Sequence, residues 1–422
     1  MRPMLRRGAL LMGAAAGLLA TVWRRAQGSA PLGLVMRALP LPAATPMAQL
    51  HAGGPTGLLG VAPDGGLWAL SPQQAEPRRL ATGLDPATPL ASGHGRIAAR
   101  TAEGGLWVLE GSAQAGERER DAGLAPHAGL LILPLAVLGV AAAGHRLVRF
   151  ERAPGGRWQA VARSRVPVLP DARPLQADLD GRGDGGHIVV LAGPDDQRYR
   201  HAVLGDAVEA TRVLWLERHA LTPLRTLELP PPHVFEDIAP RPVALPGRTA
   251  APGLPSGLLT VRAGPEGGQL ALLSADPARP AQLQLEALGE PVGGFHRWLA
   301  PTTDGRQLVA VHTPHIGGVL HVYRLEGRAL VRRRLMADVS THAIGARELD
   351  LAVWLQGRLL LPSQDGRRLR LVNPGQDWAD EGALPLPARV VQTTALAEGS
   401  AWAGLLADGR VVLVQPGAAG PR

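Results

Sequence analysis

The chain has 422 residues, 45% of them hydrophobic, which excludes a globally disordered protein and suffices for one large domain or two average ones. It has no cysteine, which excludes disulfides, thiolate nucleophiles, cysteine-bound zinc and a lipidated cysteine. The net charge is +8, but five of these charges are arginines within residues 1–28 and the rest are interspersed with acids, which argues against a nucleic-acid partner.

The N-terminal segment, residues 1–28, has the pattern of an export signal. Three arginines precede an uncharged, mainly apolar run from Gly8 to Trp23, which is short for a membrane span. Signal-peptidase cleavage is expected before Ser29. The alternative is an uncleaved anchor in the inner membrane, because Arg24 and Arg25 directly follow the apolar run. Both alternatives place the remaining chain in the periplasm or otherwise outside the cytoplasm, and only an uncleaved segment would contact the membrane.

A repeated phrase begins after residues 29–50, which are rich in proline and alanine and are predicted to form a tether. Residues 64–70 read Asp-Gly-Gly-Leu-Trp-Ala-Leu and, thirty-nine residues later, residues 103–109 read Glu-Gly-Gly-Leu-Trp-Val-Leu. A period near forty that is built on glycine turns and alternating strands is typical of β-propeller blades. Trp68 and Trp107 occupy the same position in both copies, so we expect them to pack between blades.

An aspartate-rich loop within residues 177–191 precedes an apolar strand. This loop, together with the repeat near forty residues, resembles the FG-GAP/VCBS repeat family, whose propeller blades often carry a small calcium loop. The resemblance implies calcium ligands at Asp178, Asp180 and Asp184. Arg182 stands where the family usually has Asp or Asn, so the alternative is a degenerate loop in which Arg182 pairs with a neighbouring aspartate and replaces the ion. No other cofactor is expected.

The remaining boundaries follow from composition and spacing. Residues 222–256 hold nine prolines, which predicts a long insertion or a loop between blades. Residues 51–415 form the predicted propeller, and their length corresponds to seven or eight blades. The apolar strand at residues 410–414 is expected to close the ring by pairing with strands near residues 58–70. Residues 416–422 lack a strand pattern and are predicted to be a flexible tail.

A dense histidine cluster lies in residues 311–321, which read Val-His-Thr-Pro-His-Ile-Gly-Gly-Val-Leu-His. His312 and His315 flank a Thr-Pro turn and His321 lies across a predicted hairpin, so the three imidazoles are candidate ligands of zinc, copper or iron. The alternative is that they are surface or hydrogen-bonded histidines, since the chain has thirteen histidines in all.

These patterns predict an all-β fold, a seven- or eight-bladed β-propeller, in preference to two β-sandwiches, which would carry no forty-residue repeat. We expect an exported module that binds or scaffolds a protein or another envelope component, with its ligand unidentified. The alternative is a periplasmic hydrolase, lyase or oxidoreductase with a site in the central channel. No serine-hydrolase elbow, phosphate-binding loop or His-Glu-x-x-His motif is present, so no catalytic residue is assigned and binding is favoured. Polar side chains converging at the channel mouth would instead favour an enzyme.

Overall fold

A computed structural model describes most of the chain, and the segment expected to direct export, residues 1–28, lies outside its described residues. The described residues are 33–417 without 43–44, 55–56, 72, 74–75, 112–114, 184, 249, 277–278 and 397–398. Within these ranges the elements are strands and three short 3-10 helices, at Arg120–Ala122, Ala202–Leu204 and Pro374–Gln376. No helix of the described part is long and apolar enough to cross a membrane. The all-β prediction is confirmed.

Four-stranded antiparallel sheets follow one another along the chain. The first sheet consists of β2 (Gln49–Ala52), β3 (Leu58–Val61), β4 (Leu67–Leu70) and β5 (Arg78–Ala81). The second consists of β6 (Ala91–Gly93), β7 (Arg96–Arg100), β8 (Leu106–Glu110) and β9 (Glu117–Glu119). The third consists of β10 (Leu131–Leu133), β11 (Ala136–Val140), β12 (Arg146–Arg152) and β13 (Trp158–Pro167). In each sheet every strand pairs with the next strand in sequence, which is the meander expected from the glycine turns.

The middle of the chain forms one sheet of thirteen strands that contains three further antiparallel runs of four. The runs are β14 (Leu175–Ala177), β15 (His187–Asp195), β16 (Glu209–Leu216) and β17 (Pro223–Glu228); β19 (Arg241–Val243), β20 (Gly257–Ala263), β21 (Gln269–Asp276) and β22 (Arg279–Gly289); and β23 (Leu299–Thr302), β24 (Leu308–His312), β25 (Val319–Glu326) and β26 (Ala329–Ala337). The short strand β18 (Val234–Phe235) joins β16 to β20, and a brief parallel pairing joins β22 to β26.

The last two sheets complete the ring. One holds β27 (Val353–Leu355), β28 (Arg358–Pro362), β29 (Arg368–Asn373) and β30 (Ala379–Pro385), and the other β31 (Val390–Ala395), β32 (Trp402–Leu406), β33 (Val411–Pro416) and β1 (Leu34–Ala38). β1 pairs antiparallel with β33, in a register that sets Leu34 opposite Pro416. The first and last described strands therefore share one sheet.

This closing sheet corrects three boundaries predicted from the sequence. The ring closes through β1 and not through strands near residues 58–70, which lie in a different sheet. The predicted tether, residues 29–50, contains β1 and the start of β2. The predicted tail, residues 416–422, begins inside β33, because Pro416 is paired and the Gly417 amide donates to the Gly33 carbonyl. Proline and alanine content alone does not exclude an outer strand, which needs hydrogen bonds on one side only.

The proline-rich segment, residues 222–256, is also more ordered than an insertion. It supplies β17 at the outside of one run, then β18, then β19 at the start of the next run. Seven of its nine prolines lie in the connections that follow these strands, but Pro223 begins β17 and Pro242 lies within β19, an outer position of the sheet. Outer strands tolerate proline because one row of their amides has no partner in the sheet.

The core lies between neighbouring sheets. Trp107 of β8 is 2% exposed and packs with Leu59 and Val61 of the preceding sheet, and Trp68 packs against the core shared with the closing sheet. The repeated tryptophan therefore stacks sheets, as the repeat predicted. Gly65 has φ +78°, and a Cβ atom there would lie 2.4 Å from the Leu84 carbonyl oxygen, so the turn before β4 requires glycine.

Candidate functional site

One end of the ring carries a connection that reaches a distant part of it. Residues 340–351, here called the cross-ring segment, lie between β26 and β27. The Gly345 amide donates to the Val203 carbonyl at 2.9 Å, and Arg347 forms ion pairs with Asp171 at 2.9 Å and Asp206 at 2.7 Å. These partners flank strands of the β14–β17 run. The β19–β22 run lies between that run and β26. The cross-ring segment thus links two parts of the ring that are not neighbours.

Four histidines meet beside this segment and form what we call the imidazole cluster: His201, His296, His315 and His342. The rings of His201 and His296 stack with centroids 4.7 Å apart and planes 5° apart. His315 Nε2 lies 2.8 Å from His342 Nδ1, and the Trp298 ring packs against both of these imidazoles. The cluster draws on three separate connections between strands and on the cross-ring segment, so the tertiary fold assembles it.

Hydrogen bonds determine which ring nitrogens of His315 and His342, here called the inner pair, carry a proton. His342 Nε2 lies 2.9 Å from the Ala346 carbonyl, which can only accept, so Nε2 carries the proton and Nδ1 accepts from His315 Nε2. Burial lowers the pKa of His315 to about 4 and that of His342 to about 3. Burial also lowers the pKa of His201 and His296. The cluster is therefore neutral at pH 7, and its rings act as hydrogen-bonding groups without positive charge.

Two buried carboxyl groups lie beneath the cluster. Glu236 bonds His201 Nδ1 through Oε1, and its backbone carbonyl accepts from Trp298 Nε1 at 3.1 Å. Ala210 pairs with Phe235 across the antiparallel sheet, so the residues beside them, Glu209 and Glu236, are opposite each other. Their carboxyl groups therefore enter the same buried region. Burial raises the pKa of both groups well above the ordinary value, and the nearby Glu236 charge raises that of Glu209 further. Glu209 Oε1 and Glu236 Oε2 have no hydrogen-bond partner.

Replacing Glu209 with glutamine is expected to stabilise the protein at neutral and alkaline pH. The folded-state pKa of this acid lies above its unfolded value, so its contribution to stability is present at low pH and is lost as pH rises through the folded-state pKa. Glutamine keeps the shape and removes the cost of ionising a buried group, about 1–3 kcal/mol at pH 8. Urea unfolding at pH 4.5 and 8 measures the difference.

The exposed Glu76 provides the control, because its side chain stays in solvent and Glu76→Gln should change stability by less than about 0.5 kcal/mol. A Glu209→Gln variant that is less stable than the parent at pH 8 would show that the carboxylate is ionised and paired in the folded protein.

An apolar rim surrounds the imidazole cluster. Phe295 is 56% exposed, Ile316 66% and Ile344 71%. Phe295 stacks on His296 with centroids 3.8 Å apart, and the two isoleucines lie one and two residues after His315 and His342. All three lie in connections at the same end of the antiparallel β23–β26 run, and exposed large apolar side chains on one face are typical of a contact surface.

The aspartate loop is held by backbone groups of its own and of the distant segment near Ala251. Asp178 is fully buried, and its Oδ2 accepts from the amides of Gly183 at 3.0 Å and Ala251 at 2.6 Å. Arg182 Nε lies 3.3 Å from Asp180 Oδ2, which is the arginine–aspartate pair that the alternative interpretation expects. Asp184 lies outside the described residues. Calcium binding at this loop stays a prediction.

The structure separates the three histidines that the sequence grouped. His312 and His321 stack with centroids 3.9 Å apart, and His312 Nε2 bonds the Tyr323 hydroxyl. His315 lies on the other side of the turn, in the imidazole cluster. Among the described residues, no group of three or more histidines and carboxylates is arranged to hold a metal ion. A transition-metal site at these positions stays a prediction.

Sequence reasoning did not identify His201, Glu236, His296 or His342. Each lies in an irregular connection, and each of the three histidines is too far in the sequence from another histidine to form a motif. The only signal for the three histidines is that 196–208, 290–298 and 340–351 are connections without an alternating strand pattern.

Comparison with known proteins establishes the fold. No family model and no curated protein sequence matches the chain, and the FG-GAP/VCBS resemblance stays a prediction. Among solved structures, BamB from Moraxella catarrhalis is similar with a TM-score of 0.57 at 12% identity, over 92% of this chain and 100% of that one. The computationally designed Ika8 protein is similar with a TM-score of 0.54 at 10% identity, over 89% and 98%. The chain has a β-propeller-like fold.

Proposed function

We propose that this chain is an exported, eight-bladed β-propeller that binds a protein partner in the bacterial cell envelope. Each four-stranded run is taken as one blade, so the five separate sheets and the three runs of the large sheet make eight. The likeness to BamB supports the fold part of the proposal. The basic, apolar pattern of residues 1–28 supports export.

The observation that carries the binding role is the apolar rim. Phe295, Ile316 and Ile344 are each more than half exposed on one face. The imidazoles between them are neutral at pH 7, so a partner can cover them without burying unpaired charge. An apolar centre with hydrogen-bonding groups is the usual composition of the core of a protein interface. We infer that the partner presents an apolar surface to this rim.

Site-specific crosslinking in cells tests this proposal. A photoreactive phenylalanine analogue at Ile344 is expected to give one discrete adduct in the envelope fraction. The same analogue at Leu135, which is 73% exposed in the β10–β11 turn away from the rim, serves as the matched control and should give none. Adding Phe295→Ser should reduce the Ile344 adduct about tenfold, because central apolar residues dominate interface energies. Equal adducts at both positions, or none at Ile344, would contradict the proposal.

A periplasmic enzyme is the second candidate, and the convergence of His201, Glu236 and the other imidazoles favours it. A neutral imidazole hydrogen-bonded to a carboxyl group can serve as a general base. Against an enzyme, His315 and His342 are hydrogen-bonded to each other, and the carboxyl groups of Glu209 and Glu236 are buried. Hydrolysis of a chromogenic ester, phosphoester or glycoside that is lost in His201→Ala would favour the enzyme over the binding module.

A further inference from the structure

A second feature of the ring, separate from the apolar rim, is an open cavity of about 460 Å³ among β23, β27 and β31. This volume falls within the range of small-ligand sites. Its lining consists of Thr302, Thr303, Asp304, Asp350, Ala352, Val353, Trp354, Thr393, Thr394 and Ala395. The three strands come from three consecutive runs, so the cavity exists only in the assembled ring.

The polar part of the lining is acidic and hydroxylated, and the rest is apolar. Two of the ten lining residues are aspartates, four are threonines and none is basic. Thr393 is 8% exposed, and its buried Oγ1, in a residue that lines the cavity, has no hydrogen-bond partner. Leaving such a group unpaired is costly, and a ligand that bonds it would recover that cost.

Asp350 is a half-buried carboxyl group of the cavity wall. Its Oδ1 accepts from the Ala352 amide at 2.8 Å, and the Thr302 hydroxyl also bonds the carboxyl group. Burial raises the pKa of Asp350 to about 7, against the hydrogen bonds from Thr302 and the Ala352 amide and the charge of Arg241, which lower it, while the charge of Glu348 raises it. Asp304 is the other charged group of the cavity wall. Among the described residues, none forms an ion pair with Asp350 within 4 Å.

We propose that this cavity binds a small primary ammonium group, with the cation against Asp350 and its N–H groups bonded to the threonine hydroxyls. The cation supplies the counter-charge that the wall lacks, while the two aspartates repel anions. A primary ammonium has three donors, which matches the acceptors that Asp350 and Thr393 present. The ammonium group comes from a free amine or from a lysine side chain of a partner, and separate probes distinguish these sources.

Calorimetry with the full folded protein tests the proposal. Putrescine represents the free amine, Nα-acetyl-lysine methylamide represents the side chain, and 1,4-butanediol is the neutral analogue of putrescine. At pH 8 at least one amine should bind more than about tenfold more tightly than the diol, because a charge-assisted hydrogen bond is stronger than a neutral one. Diol binding as tight as that of both amines, or no amine binding at millimolar concentration, would overturn the proposal.

Asp350→Asn tests the residue assignment. Asparagine keeps the acceptor for the Ala352 amide and approximates the protonated acid, so the fold should persist while amine affinity falls about tenfold or more. Asp121→Asn, at an exposed site in another sheet's connection, should leave amine affinity unchanged. Equal affinity in the parent and in Asp350→Asn would overturn the assignment.

The pH dependence of the parent protein gives a measurement that needs no variant. Binding requires ionised Asp350, so amine affinity should fall about tenfold for each pH unit below the pKa of this group and level off above it. Affinity that is constant between pH 5 and 8 would show that Asp350 does not hold the cation. Thr393→Val, which keeps the side-chain volume, should weaken amine binding several-fold.

Discussion

Truncation after Asp408 is expected to destroy the folded ring and leave an aggregating protein. The deletion removes β33, which lies between β32 and β1 in the closing sheet. Val411, Val412, Leu413 and Val414 are all at most 3% exposed. Burying four such side chains contributes about 6–12 kcal/mol, which is comparable to the whole stability of a typical domain. Light scattering after size-exclusion chromatography, together with thermal unfolding, measures the outcome.

Two shorter deletions provide the controls. Ending the chain at Gly417 preserves every described pairing of β33 and should leave the melting temperature unchanged. Deleting residues 33–38 removes β1, whose side chains are half-buried or exposed, and should lower the melting temperature less than the loss of β33. A soluble, monomeric protein that ends at Asp408 and melts like the parent would contradict closure through this sheet.

Asp237→Ala is expected to cost about 3–5 kcal/mol of unfolding free energy, because it leaves a buried guanidinium without its counter-charge. Asp237 is fully buried and forms an ion pair with Arg241. Its Oδ1 also accepts from the Ile238 amide at 2.9 Å, and its Oδ2 from the Thr260 hydroxyl at 2.9 Å. The residue next to it, Glu236, holds His201, so the variant should also loosen the imidazole cluster.

The matched control removes an exposed carboxylate from an ion pair. Glu326 lies 3.2 Å from Arg324, and both side chains are more than half exposed. Glu326→Ala should cost less than about 1 kcal/mol, because solvent screens the pair. Urea unfolding at pH 7 compares the two variants, and equal losses would show that Asp237 makes no more than an ordinary surface contribution.

The sequence predicted those parts of the fold that rest on local patterns. The Gly-Gly-Leu-Trp phrase identified β4 and β8, because the turn requires positive φ at Gly65 and the tryptophan packs between sheets. It did not identify β1, since a strand of five residues among prolines carries no turn signal and its partner lies at the other end of the chain. Strand pairing over such a distance is a property of the whole ring and leaves no local pattern.

The candidate site was predictable to a smaller extent. His315 was singled out for its spacing from His312, but the direction of each side chain depends on the turn between them, and His315 meets His342 instead. His201 and His296 stack only because two separate connections converge. Residue spacing predicts contacts within one strand or hairpin, whereas this cluster depends on connections from several runs.

The pairing of β1 with β33 also determines when the ring can close during synthesis. β1 is among the first described strands to leave the ribosome and β33 is the last, so β1 has no partner while almost all the other described strands are made. Until then the nascent chain is an open arc with two unpaired sheet edges, a state prone to association with other chains. The closing step therefore has very high contact order and requires that β33 has been synthesised.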